Sequence, residues 1–242
     1  MVETLASKNK RRWDVCVVHP SKIATFDKVA KRLIAPAAKA RYQAVEKKTG
    51  VPWWFIAVTH ERESSQNWTR SLAQGDPWNR VSTHIPKGRG PFNSWEDAAY
   101  DALVKCHPFA AKNKDWSIGG SLAMLEKYNG LGYASKGLPS PYIWAGTNQY
   151  VRGKYVADGV YDPNHVDTQL GCAGLLMRMN VFGKPTSVPT STTTTVSTGA
   201  GAVAAATYFG FTLPWIIGIG IAAAAVIGLL FYLNYLGKKH NA

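Results

Sequence analysis

PWWFIAVTHERESSQNWTRSLAQGD, residues 52–76, joins an apolar aromatic run to two carboxylates and a histidine. Proline is tolerated in the first turn of a helix, so Pro52 predicts a helix from there through about Ser65. Trp53, Trp54, Phe55, Ile56 and Val58 make that helix largely buried, and the acids then fall near its end. At 100° per residue, Ile56, His60 and Glu63 share one stripe, while Trp54, Val58 and Glu61 share another about 200° away. One of the two acids is therefore expected to face a cleft. A carboxyl in the last turn meets the negative end of the helix dipole, and an apolar setting adds desolvation. Both favour the protonated form, which suits a general acid. Solvated charges paired with Arg62 or Arg70 are the plainer reading of the same acids.

His60-Glu61 also begins the zinc-protease pattern H-E-x-x-H. The second histidine position holds Ser64, so that pattern is broken and no metal or other cofactor is expected.

Outward from this helix, Val29, Leu33 and Ile34 fall on one side of a helix starting near Thr25, which Pro36 kinks or restarts and Gly50 ends. Residues 66–93 are rich in glycine and proline and read as irregular loop or a small hairpin. Ser94 and Asp97 resemble a capping box for a helix from Trp95 to about Cys106. Further helices fit residues 121–128 and 165–179. Residues 130–162 read as long surface loops or a short hairpin. The sum is a mainly α (α+β) domain.

Every acidic residue precedes Pro185, and only Lys238 and Lys239 carry charge beyond Lys184. The expected organisation is a basic N-terminal segment (1–19), a catalytic domain (20–184), a Ser/Thr-rich linker (185–201), a transmembrane segment (202–237, apolar core about 214–236) and a basic tail (238–242). That core is long enough to cross a ~30 Å hydrocarbon layer, with Trp215 near one end and Tyr232 and Tyr235 near the other. Asp14 and His19 interrupt the short apolar run at 15–18, so no cleavable secretory signal is expected.

Without Lys238 and Lys239, the 28 Lys and Arg become 26 against 15 acids, leaving residues 1–184 at +11. Such a field attracts polyanions: nucleic acid, anionic lipid, or bacterial wall polymers. No nucleic-acid motif accompanies the charge, and no nucleic-acid partner is expected. Cys16, Cys106 and Cys172 are odd in number and lack zinc-site spacing. They read as small buried hydrophobes.

Glu63-Ser64 at a helix end, followed by Tyr128-Asn129-Gly130, resembles the E-S and Y-N-x-G motifs of lytic transglycosylases and goose-type lysozymes. GDP (75–77), PKGRG (86–90), WEDAAYDAL (95–103), YNGLGY (128–133), SPYIWAGT (140–147) and YVRGKYVADGVYD (150–162) resemble phage and bacterial endolysin-like proteins. The resemblance spans roughly residues 52–179. It implies a lysozyme-like fold and cleavage of the β-1,4 bond between N-acetylmuramic acid and N-acetylglucosamine, with Glu63 as general acid and Glu61 second choice. Asp76 and Ser82 look like the later members of a Glu, Asp, Thr catalytic set, with serine for threonine and a longer interval after Glu63. Hydrolysis through Asp76 is the leading expectation and transglycosylation by Glu63 alone the other. Tyr128 and Asn129 are expected to line the sugar groove and His60 to contact substrate. Tyr142, Trp144, Tyr150 and Tyr155 are candidates for stacking on sugars, and Arg80, His84 and Arg89 for binding acidic groups. The implied partners are peptidoglycan, the membrane and virion proteins. A non-catalytic wall-binding or virion structural module and a chitin-cleaving enzyme are the alternatives.

Overall fold

The computed structural model describes residues 3–73, 75–84 and 86–183. These form a mainly helical unit with one small hairpin. At its centre lies α4 (Trp53–Ser64), in which Phe55, Ile56, Ala57, Val58, Thr59 and His60 have no exposed surface. Each fully buried large apolar side chain of this kind contributes roughly 1.5–3 kcal/mol.

Around it pack α2 (Ile23–Leu33), α3 (Pro36–Thr49), α6 (Ile118–Asn129) and α9 (Cys172–Arg178). Pro36 starts α3, and Gly50, in the left-handed region at φ 72°, ends it as the sequence suggested. α5 (Trp95–Val104) lies on α3, and its first turn is capped by the Ser94 hydroxyl, which accepts from the Asp97 N–H. Arg41 on α3 donates to Glu96 at the start of α5 and stacks its guanidinium over Trp68. The short helices α7 (Gly132–Ser135) and α8 (Pro141–Trp144) precede an antiparallel hairpin of β1 (Lys154–Ala157) and β2 (Val160–Asp162).

Three expectations change. Residues 1–19 are not a separate segment: α1 (Leu5–Asp14), capped by Thr4, packs along α6 and buries Trp13. The helices approach so closely that a Cβ on Gly119 would lie 2.7 Å from the Ala6 carbonyl oxygen, and Asn9 donates to Glu126 at 2.9 Å across the contact. α6 begins at Ile118, three residues earlier than expected, and so includes Gly119, whose lack of a side chain admits the close approach of α1. α9 begins at Cys172 and not near His165, since Asp167 is drawn away into ion pairs with Arg62 and Lys154.

Cys16, Cys106 and Cys172 are buried free thiols, as expected. Among the described residues no helix is long and apolar enough to cross a membrane. The apolar stretch at 214–236, the linker and the tail lie outside them.

Candidate active site

Glu63 sits in the last turn of α4. Immediately after it Ser65 and Gln66 both take left-handed backbone conformations (φ 54° and 58°), and their N–H groups return to the Glu61 and His60 carbonyls. Two adjacent non-glycine residues in this region are costly, of order 1 kcal/mol or more each. They turn the chain sharply and leave the Glu63 side chain at a cavity wall.

The two acids of the helix part company as the stripe geometry requires. Glu61 points toward α2 and accepts from Arg32 at 2.6 Å. Among the described residues Glu63 accepts one hydrogen bond, from the Tyr142 hydroxyl at 2.8 Å. Its carboxyl keeps some exposed surface but is enclosed by protein. That desolvation pushes its pKa up to about 7, against smaller opposing effects of the Tyr142 hydrogen bond and the Arg62 charge. Near neutral pH the group can therefore both give and take a proton.

Neighbouring residues line two cavities here, Glu63 and Tyr128 the first and Arg62 and Asn129 the second. The first, about 390 Å³, is lined by Glu63, Tyr128, Arg89, Lys105 and His107 among others. The second, about 460 Å³, is lined by Asn129, Tyr142, Arg62, Lys154 and the Tyr133 and Tyr155 rings. Tyr128 and Asn129, adjacent at the end of α6, thus serve one cavity each, and Tyr142 in the second reaches Glu63 in the first. Tyr128 is half-buried, packs edge-on against Phe55 and donates to the Leu72 carbonyl at 3.2 Å. Tyr142 is 4% exposed, and burial raises its pKa well above the ordinary tyrosine value, so it keeps its proton and remains a donor to Glu63.

Asp76 is differently placed. Its carboxylate accepts from the Thr83 N–H (2.8 Å), the His84 N–H (3.0 Å) and His84 Nδ1 (2.6 Å). These bonds, led by the His84 backbone N–H, hold its pKa down at about 2. The Ser82 hydroxyl donates to the Pro86 carbonyl (3.0 Å) and accepts from the Arg89 N–H (2.9 Å). Both side chains are thus engaged in fastening residues 76–89, and neither lines the two cavities, although Pro86 and Arg89 of this loop line the first. A Cβ on Gly75 would lie 3.8 Å from the Glu63 carbonyl oxygen, so the loop starts against the end of α4.

Several expected substrate contacts require correction. His60 is fully buried, bonded to the Tyr42 hydroxyl and the Asn67 carbonyl and ringed by Trp68 and Trp95. Burial lowers its pKa to about 4. Trp144 has no exposed surface and belongs to the core, so it cannot stack on a sugar. Tyr150 is 7% exposed, and its hydroxyl donates to the Gly153 carbonyl and accepts from the Asp167 N–H, which ties the hairpin down. Arg80 is exposed but lines neither cavity. Tyr155, a stacking candidate, does line the second cavity. Tyr133, Arg62, Lys105, His107 and Lys154 line the cavities without having been expected there, and the cations carried no spacing signal.

Comparison with protein-family models, curated proteins and solved structures found no match. No group of three or more His, Cys, Asp or Glu side chains suited to a metal occurs among the described residues. The site's chemical capacity is thus that of one acid of raised pKa, an aromatic hydroxyl donor, and two cavities with cationic and aromatic walls.

Proposed function

We propose that this protein cleaves the β-1,4 glycosidic bonds of peptidoglycan, with a lysozyme-like domain in residues 1–184 and an apolar membrane anchor at 214–236. The observation that carries the reading is Glu63: a carboxyl with a pKa of about 7 in the wall of one cavity, accepting from a tyrosine that lines a second. The protonated acid gives its proton to the glycosidic oxygen as the C1–O bond breaks, leaving positive charge on the anomeric centre. The resulting carboxylate then takes a proton from the incoming nucleophile.

Asp76 bears on which nucleophile that is. A general base for water must face the reaction and hold a proton near neutral pH, whereas this carboxylate is turned to three donors of its own loop, lines neither cavity and has a pKa of about 2. That favours Glu63 working alone, with the C6 hydroxyl of the muramyl sugar closing on its own anomeric carbon. We therefore assign lytic transglycosylation over hydrolysis. Asp76 and Ser82 become fasteners of the loop that walls the first cavity.

The anchor rests on sequence alone: an uncharged stretch of spanning length with interfacial aromatics. It places the enzyme in a host inner membrane or a virion.

Digestion of purified sacculi by the full-length protein in detergent, followed by mass spectrometry, tests the activity. The expected products carry 1,6-anhydromuramyl ends and are absent with Glu63→Gln. Reducing muramyl ends would replace transglycosylation by hydrolysis, and an absence of soluble fragments would leave a wall-binding module.

A further inference from the structure

Each cavity beside Glu63 contains a cationic pair built around a buried aspartate. In the first, Arg89 grips Asp101 through two nitrogens while Lys105 approaches the same carboxylate at 3.9 Å. In the second, Arg62 and Lys154 share Asp167 at 2.9 and 3.1 Å. Two cations against one anion leave each group at +1.

The surroundings then separate them. The second cavity is also lined by Asp158, exposed in the turn between β1 and β2, which brings that cavity's formal charge to zero. Among the described residues that line the first, the acid is Glu63 itself, so this group stays at +1 while that carboxyl holds its proton as a general acid must, and His107 adds a further nitrogen. Lys105 is also the looser partner of Asp101. Its side chain is 58% exposed, and at 3.9 Å it gives up little by turning to another anion.

We propose that Lys105, with Arg89 held rigidly behind it, is the specificity-determining carboxylate subsite of the Glu63 cavity, selecting glycans that carry an acid on alternate sugars over neutral N-acetylglucosamine polymers. The argument rests on the activity proposed above and sharpens its substrate. A lactyl or stem-peptide carboxylate beside the scissile bond meets Lys105, while the neutral sugar is left to the charge-balanced second cavity with its Tyr133 and Tyr155 rings.

Calorimetric titration of the Glu63→Gln protein with two probes tests this without turnover. The probes are a tetrasaccharide of peptidoglycan bearing its stem carboxylates, and chitotetraose. The acidic probe is expected to bind at least about tenfold more tightly, with a preference that shrinks as salt rises. Adding Lys105→Gln should weaken the acidic probe roughly three- to tenfold and leave chitotetraose unaltered. Lys127→Gln, on an exposed α6 position outside both cavities, should alter neither. Equal affinity for the two probes, equal losses on Lys105→Gln, or no binding of either would overturn the subsite. The catalytic reading is judged separately by anhydromuramyl products from whole sacculi, so the two can fail independently.

Discussion

Glu63 and Asp76 are the same functional group, close in sequence and at opposite extremes of environment. Glu63 ends a buried helix with one hydrogen bond among the described residues and a pKa raised to about 7; Asp76, itself buried, opens a loop that supplies it with three donors and a pKa lowered to about 2. Too few hydrogen bonds in a desolvated place make a carboxyl chemically available. Three donors from its own loop make Asp76 a fastener. Proton-transfer capacity in this site comes from what the surroundings withhold.

The sharpest way to break this contrast is to exchange each carboxyl for its amide. Glu63→Gln keeps the shape and loses the proton, and glycan release is expected to fall by about 10²–10⁴-fold. Asp76→Asn removes ionic acceptors from the loop, and release is expected to fall less than about tenfold while the products keep their anhydro ends. A loss in Asp76→Asn as large as that in Glu63→Gln would return Asp76 to the chemistry.

Stability offers a second contrast of opposite sign. A carboxyl whose pKa rises from 4.5 to about 7 on folding binds protons more tightly in the folded state, so its contribution to stability is lost as pH rises from 4.5 through 7. Glu63→Gln should accordingly unfold at higher denaturant than the unsubstituted protein at pH 8, by up to roughly 3 kcal/mol, with little difference at pH 4. Asp76 runs the other way. Its folded pKa lies below 3.8, so its stabilisation is present above that pH and lost as pH falls through about 2. Acid titration of Asp76→Asn against the unsubstituted protein should show their difference closing over that window.

Tyr142→Phe tests the one hydrogen bond that Glu63 has. That bond favours the carboxylate, so its removal should move the fall of activity with rising pH, expected near 7, to higher pH. An unmoved profile would mean that Glu63 does not set it. The smallest effect is expected at Ser65, exposed and left-handed at φ 54°. Ser65→Gly should stabilise the protein by about 1 kcal/mol in chemical denaturation, with the products unaltered.

Much of this could be read along the chain because it depends on local rules. Pro36, Gly50, Pro52 and the Ser94 cap mark helix ends through backbone chemistry that operates within a turn, and those ends fall where they were expected. The separation of Glu61 from Glu63 follows from helical periodicity alone. His60 and Trp144 misled because periodicity gives a side chain's direction without saying what fills the space beyond it. His60 shares a stripe with Glu63, yet Tyr42, Trp68 and Trp95 close over it.

By itself, then, the sequence determined the helical framework around residues 52–65, the candidate acid at Glu63 and the composition break after Lys184. Only the tertiary structure decided which carboxyl has its pKa raised and which is held down by loop donors, that α1 belongs to the core, and that Arg62, Arg89, Lys105 and Lys154 line the two cavities. The physical reason is range: helix ends and faces follow from neighbours within four residues, whereas a pKa or a cleft depends on groups such as Tyr142 and Glu63, 79 positions apart in the chain and 2.8 Å apart in space.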